Sequence, residues 1–444
     1  MTLSKLHDLL NLLTDAVTQL EEACTKNGTS IPDLDKSFNT SSEDFRKDPT
    51  AALAANVIGA AALHIYAIIN PPQISLFDIA SGTQKAAALR ICLESGVAEI
   101  LQEAGPQGLH ISDITTINGQ DPVKLGACLR YMATHHVFRE VTPNVFANSR
   151  ISSLLDTGKS FQELLSYPHK KYENTSGLTA LIGHLLDEAS TASAHMWEVF
   201  SDPTTVKSNE PSQSAFTKFV GRGKTLWEYY DDPEQDFRRH RFNIGMHGIQ
   251  KLHPENIILS VYDWKAVPAG SVIVDVGGGV GTTQLCLAKE FPQLKIIIQD
   301  QSHVIEEGAK ASTLICQTLI LNVWHEKDPD ALQSGRVSFE DEYCIKILTQ
   351  LRKAASPNTK LLSMDTIIQH ACHDNSGFTD YITGAMPDEA PSPLLANWGA
   401  VNPMAYCIDI IMLALFNSRE RTLSDSVSLF EKSGWKVTEP DADE

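Results

Sequence analysis

With 444 residues the chain is too long for one ordinary core and has room for two domains. Its 36 basic and 55 acidic side chains leave a formal charge of −19, so nucleic acid or an anionic membrane would have to bind against the field, and neutral or cationic small molecules are the easier partners. Eight scattered cysteines with no C-x-x-C pair, together with 42% hydrophobic and 20% charged residues, predict a reduced, soluble, cytoplasmic protein.

Residues 3–24 repeat Leu6, Leu9, Leu10, Leu13, Val17 and Leu20 at intervals of three and four, which predicts a helix with one sticky face that packs on a partner. No basic segment precedes an apolar one there, so it does not read as a signal peptide. A polar linker follows over 26–50. Residues 51–69 carry no charge, but the stretch is alanine-rich, includes Asn56 and His64, and stops at Asn70-Pro71-Pro72. It reads as a buried or dimer-interface helix and not as a membrane span.

From 97 to 152 the order is a short strand, an N-cap, a helix opened by Asp121-Pro122, and two alternating strands at 137–141 and 144–148. That is a winged-helix layout. Its last helix carries only Lys124 and Arg130, so it is expected to be a scaffold and not a DNA reader. Residues 168–250 are predicted helical. They offer His184, Trp227, Met246 and His247 as candidates to line a substrate pocket, with plain core packing as the competing expectation.

Residues 271–301 read as strand, glycine turn, helix, strand. The turn is Asp275-Val276-Gly277-Gly278-Gly279-Val280-Gly281, and the second strand ends at Asp300. Three glycines without a Cβ let the chain bend sharply and let a ligand reach its amides. An acidic residue at the second strand end is where a Rossmann-like unit receives ribose hydroxyls. Thr282 stands where a dinucleotide fingerprint wants its third glycine, and Asp275 would set an anion against a pyrophosphate, whereas it suits a cationic amino-acid end. The pattern predicts S-adenosylmethionine, held by Asp275, Gly277, Gly278, Gly279 and Asp300. Further on, 343–354 is predicted helical, 361–368 a strand containing Asp365-Thr366, 406–415 a helix, and 421–434 a helix closed by a glycine. His370-Ala371-Cys372-His373 lacks a second ligand group of metal spacing and reads as a polar loop, so no metal is expected.

Taken in order, several segments resemble the fungal small-molecule branch of the class I S-adenosylmethionine-dependent O-methyltransferases. They are Leu129-Arg130-Tyr131-Met132, Phe146-Ala147-Asn148-Ser149-Arg150, Arg241-Phe242-Asn243-Ile244-Gly245-Met246, the glycine turn with Gln299-Asp300, Asp341-Glu342-Tyr343-Cys344 and Glu420-Arg421-Thr422. The resemblance runs from about residue 50 to about 437. It implies an α/β protein, a Rossmann-like methyltransferase domain preceded by a helical dimerisation domain with a winged-helix element. The boundaries would be 1–155, 156–260 lining the substrate pocket, and 261–444. It also implies a homodimer, a small-molecule acceptor, and a histidine base oriented by carboxylates at the positions of Asp365 and Glu420.

The base breaks the pattern. The family places a His-Asp-Trp strand directly before the helix that starts here at Asp341, yet Gly335-Arg336-Val337-Ser338-Phe339-Glu340 runs straight into it. Conversely, 312–323 is an extra apolar run, and it could fill the vacant slot in the sheet. An insertion and a deletion this close together point to a splicing error in the gene model, with real divergence as the competing expectation. Two alternatives stay open. One is a pericyclase of the same fold that uses bound S-adenosylmethionine without transferring its methyl; the other is a non-catalytic binding protein.

Overall fold

The computed structural model describes residues 2–221, 223–250, 257–260, 262–279, 281–300, 305, 319–323, 341–374 and 388–437. Contacts divide the chain into two units, Met1–Gln250 with Gln369–Asp374 and Pro387–Asn417, and Lys251–Ile368 with Asn375–Met386 and Ser418–Glu444. The first unit thus takes in 1–155 and most of 156–260. It also takes in a stretch that the sequence boundaries assign to 261–444, because the apolar helix Met404–Phe416 packs its Ala414, Leu415 and Phe416 with Phe216, Leu226 and Tyr230.

In the first unit, α1 (Thr2–Asn27) lies on α2 (Pro49–Ile69). Leu9, Ala16, Leu20 and Ala23 of α1 meet Ala51, Ala54, Val57, Ala60 and Ala61 of α2, whose small side chains let the two backbones approach. Burial of each leucine contributes about 1.5–3 kcal/mol. The sticky face of α1 is therefore satisfied within its own chain, by an alanine helix that the spacing of α1 alone could not reveal. Asp48 starts α2 by accepting the Thr50 and Ala51 amide hydrogens, with Pro49 in the first turn. The opposite side of α2 leaves Leu53, Leu63, Tyr66 and Ile69 exposed, and α3 (Pro72–Ala80) exposes Ile74, Leu76, Phe77 and Ile79. Among the described residues, α2 is the one helix long and apolar enough by length and composition to cross a membrane.

The next part follows the predicted order: β1 (Leu109–His110), α4 (Ile111–Asn118), α5 (Pro122–Thr134), β2 (Phe138–Thr142) and β3 (Val145–Asn148). The three strands form an antiparallel sheet in the order β1-β3-β2. Ile114, Leu125, Leu129, Phe138 and Phe146 fill its core. Asp121 caps α5 through the Val123 and Lys124 amides, and Asn144 takes the left-handed conformation that the hairpin requires.

The second unit carries β4 (Val272–Val276), β5 (Lys295–Asp300) and β6 (Leu319–Val323), all parallel in the order β4-β5-β6, with the helix Thr282–Glu290 joining the first two. Leu287, Ala288, Phe291, Leu294 and Ile296 pack with Trp264 beneath it. Part of the extra apolar run thus forms a strand, but it pairs with the far edge of β5 and not beside β4. Among the described residues β4 pairs on one edge only, and Val272 and Val274 are 53% and 47% exposed, high for a strand of a parallel sheet. Residues 361–368 are extended but make no ladder with the described residues. Ile367 forms one bridge to Arg421, while Leu362 and Met364 lie exposed. That corrects the strand expected there, since an apolar run becomes a strand only beside a partner that takes its hydrogen bonds. Residues 306–318 and 324–340, with His325, lie outside the described residues.

Candidate cofactor and acceptor sites

The apolar run of β4 ends at Asp275, half-buried beneath the turn, and the chain then reverses into the helix Thr282–Glu290. Gly279 has φ +61° and donates its amide hydrogen to Asp300 Oδ2 at 2.8 Å. A Cβ on Gly279 would meet no atom of the described residues within 4 Å, so this face of the turn is a cradle. Gly278 is needed for a different reason: its Cβ would collide with the Asp275 carboxylate and with Ile298. The amides of Gly277 and Gly278 face the Gln299 carbonyl, at 2.8 and 3.4 Å, and that of Gly281 donates to Gly278. The amides of Gly277, Gly278, Gly279 and Gly281 are thus spent internally, so among the described residues of the turn they are not free for a ligand. The absence of side chains, and not amide donation, is what the glycines supply.

Two carboxylates share this cradle. Asp300 is 5% exposed at the end of β5. Burial pushes the Asp275 carboxyl above the usual range, and the nearby negative charge of Asp300 adds to the shift against a hydrogen bond from Gln284. Gln284, which sequence reasoning missed, donates through Nε2 to Asp275, and its Oε1 is buried without a hydrogen-bond partner among the described residues. A group bearing N–H or O–H donors and positive charge fits such a donor-poor, acid-lined cradle.

Elsewhere in the same unit, Arg421 grips Asp341 Oδ1 through Nε and NH2 at 3.1 and 3.0 Å, and Arg419 reaches Oδ2 at 3.1 Å. Burial pushes the Asp341 carboxyl up, but the two guanidinium groups outweigh it and hold the group below its ordinary range. Glu420, between these arginines, is half-buried; Asp365 is exposed and accepts from Ser363. Among the described residues of this unit there is no histidine.

The pocket candidates belong to the first unit. His184 is 3% exposed at the end of the helix Leu178–His184 and leads into a π-turn, Leu185–Ala189. Its Nδ1 lies 3.2 Å from Glu188 and 3.4 Å from the Tyr230 hydroxyl. Arg241 NH2 bridges Glu188 at 2.6 Å and Asp187 at 2.8 Å, and Asp187 also takes Arg90 and Arg238. Burial pushes both carboxyls up; His184 and Arg241 at Glu188, and Arg241 and Arg238 at Asp187, overcome it and hold them low. Trp227 stacks on Phe416 and meets Phe242 edge-on, and Met246 is half-buried on the helix Asp236–Gln250. The His247 side chain lies outside the described residues. His184 is thus part of a buried ionic network. The adjacent acids Asp187-Glu188 in an otherwise apolar stretch, with Arg238 and Arg241 three apart, were the signal that could have found it.

A parallel sheet with a glycine turn closed onto an acidic strand end defines a class I, Rossmann-like methyltransferase. Residues 197–383 match the O-methyltransferase domain family. The chain is 40% identical over 460 residues to the 4-O-methyltransferase 1 of Phanerochaete chrysosporium, covering 98% of this chain and 95% of that one. In fold it resembles CalO1, a methyltransferase of calicheamicin biosynthesis solved with S-adenosylhomocysteine bound, with TM-score 0.56, 20% identity, and 82% and 92% of the two chains covered. A pericyclic reaction enzyme superposes with TM-score 0.58 at 16% identity, over 96% and 94% of the chains. The chain belongs to the O-methyltransferase family, in the branch that serves fungal secondary metabolism. S-adenosylmethionine is the cofactor.

Proposed function

We propose that the protein binds S-adenosylmethionine at Asp275, Gly277, Gly278, Gly279 and Asp300 and acts as an O-methyltransferase on a phenol, enol or carboxylate of a small secondary metabolite. The observation that carries this reading is Gly279 opening onto space while its amide is pinned to the buried Asp300 carboxylate at the strand end. When bound, the cofactor supplies an electrophilic methyl on a sulfonium. The chain's part is to hold the nucleoside through Asp300, to neutralise the amino-acid end through Asp275, and to line the acceptor's surroundings with Trp227, Met246, His184 and His247. Asp365 and Glu420 are the carboxylates assigned to orienting the group that takes the acceptor's proton. The exposed apolar side chains of α2 and α3 support a homodimer, and the acidic, reduced composition supports a cytoplasmic location. The β1–β3 layout is assigned to a winged-helix scaffold.

A second reading keeps the cofactor and drops the transfer. It is favoured by one sequence fact, that Glu340 runs directly into Asp341 where the family carries its His-Asp-Trp strand. The cofactor would then act by its positive charge alone, as in a pericyclase. Incubation with methyl-labelled donor and a panel of phenols tests the choice. Label in the acceptor is the expected result, and tight donor binding without transfer overturns the methyltransferase reading in favour of the second.

A further inference from the structure

We infer that Gln284 is a cofactor-positioning residue whose Oε1 accepts a hydrogen from the ammonium of the cofactor's amino-acid end while its Nε2 holds Asp275 as a second acceptor. This rests on the cofactor reading above and extends it to a side chain that no part of the glycine motif names.

The geometry begins with the orientation of the amide. Gln284 sits in the first turn of the helix Thr282–Glu290, and its Nε2 faces Asp275 Oδ2. A carboxylate offers only acceptors, so the nitrogen of the amide must face it and the oxygen must point away. That oxygen is buried and has no partner among the described residues. Buried polar atoms in native proteins are nearly always paired. An acceptor left orphaned here carries a desolvation cost that a leucine of similar size would not. Retaining glutamine at such a position implies a donor that arrives with the ligand.

The surroundings identify the donor. Asp275 and Asp300 bring two carboxylates to one cradle, close enough for Asp300 to disfavour ionisation of Asp275. A neutral donor would satisfy Oε1 and leave that repulsion in place; a cationic N–H donor relieves both. The helix start opposes a cation with about half a positive charge, less than the charge of the two acids. Of the cofactor's groups, the adenine amine and the ribose hydroxyls are neutral and the sulfonium has no hydrogen to donate. The ammonium alone is both charged and an N–H donor.

The test compares S-adenosylhomocysteine with its deaminated analogue, identical but for the ammonium, by titration calorimetry on the wild type and on Gln284→Leu, with Gln284→Met as a second apolar variant should leucine not fold. The unfolding temperature of the ligand-free protein is read alongside. The expected result is that the leucine variant loses about tenfold or more of its affinity for S-adenosylhomocysteine, keeps its affinity for the deaminated analogue within about twofold, and unfolds at a higher temperature without ligand. Equal losses for both ligands, an unchanged affinity for S-adenosylhomocysteine, or a lowered unfolding temperature overturns the assignment. Wild-type protein that binds neither ligand overturns the cofactor reading itself, which separates the two failures.

Discussion

Asp300 closes the glycine turn by accepting the Gly279 amide hydrogen across 2.8 Å, tying the end of β5 to the bend that follows β4. The same carboxylate is the one assigned to the ribose, so it serves both the turn and the ligand. Asp300→Ala removes both services and is expected to weaken S-adenosylhomocysteine binding by about 1.5–3 kcal/mol. Asp300→Asn retains an oxygen for Gly279, so its ligand-free unfolding temperature should stay close to wild type while affinity still falls. Calorimetry and thermal unfolding read the two effects separately. Unchanged affinity in both variants would remove Asp300 from the ribose.

Arg241 joins Asp187 and Glu188 inside the first unit, where neither its side chain nor that of Glu188 is more than 2% exposed. Such a pair is not an efficient source of stability, but breaking it leaves a buried charge uncompensated. Arg241→Met is expected to cost about 3–5 kcal/mol in chemical denaturation. Replacing Glu188 by Gln in the same chain should recover part of that loss, because the double variant no longer buries the second charge alone. Strict additivity of the two single changes would show that they are not coupled.

Asp341 is held below its ordinary range by Arg421 and Arg419 against the opposing effect of burial. A carboxyl depressed in the folded state contributes stability that is fully present above its unfolded value, about pH 3.9, and that is lost as pH falls through the lower folded value. Its side chain is 44% exposed, so solvent screening limits the contribution to about 1 kcal/mol. Asp341→Asn should therefore lower stability by about that amount at pH 7, and the gap from wild type should close in acid. A gap that persists unchanged at pH 3 would place the effect in packing and not in charge.

The glycine turn and its flanking strands were legible because their signals are local: a period of two, a run of glycines, an acid at the end. The order of elements from Leu109 to Asn148 was legible for the same reason. What failed was non-local. Residues 361–368 carry the composition of a strand, yet composition cannot say whether a neighbour is present to receive it, and among the described residues the one pairing is the Ile367 bridge to Arg421. The apolar face of α1 was expected to pack on a partner, and it is covered by α2 of the same chain. Gln284 was invisible because a glutamine in a first helical turn reads as a solvated face. Only the fold brings its amide against Asp275. His184 was read as a pocket-lining candidate; its partner Glu188 lies one helical turn on in the same run, whereas Tyr230 and Arg241 come from two other elements that no spacing within that run could assemble.

The last expectation concerns β4. Among the described residues its ladder is made on the β5 side only, and Val272 and Val274 are about half exposed, although the run Val272-Ile273-Val274 has the composition of a strand covered on both faces. An unpaired edge in the middle of an apolar strand is a position that proteins normally cover. Expressed as the present sequence, the protein should therefore show fast hydrogen exchange at those β4 amides that point away from β5, with the alternate amides protected. Sequencing the transcript across residues 311–341 should recover a product with a strand and a histidine before Asp341. That product, expressed in turn, should protect the exposed amides and raise the unfolding temperature. Uniform protection along β4 in the present chain would sink the expectation, because it would mean that the edge is already covered.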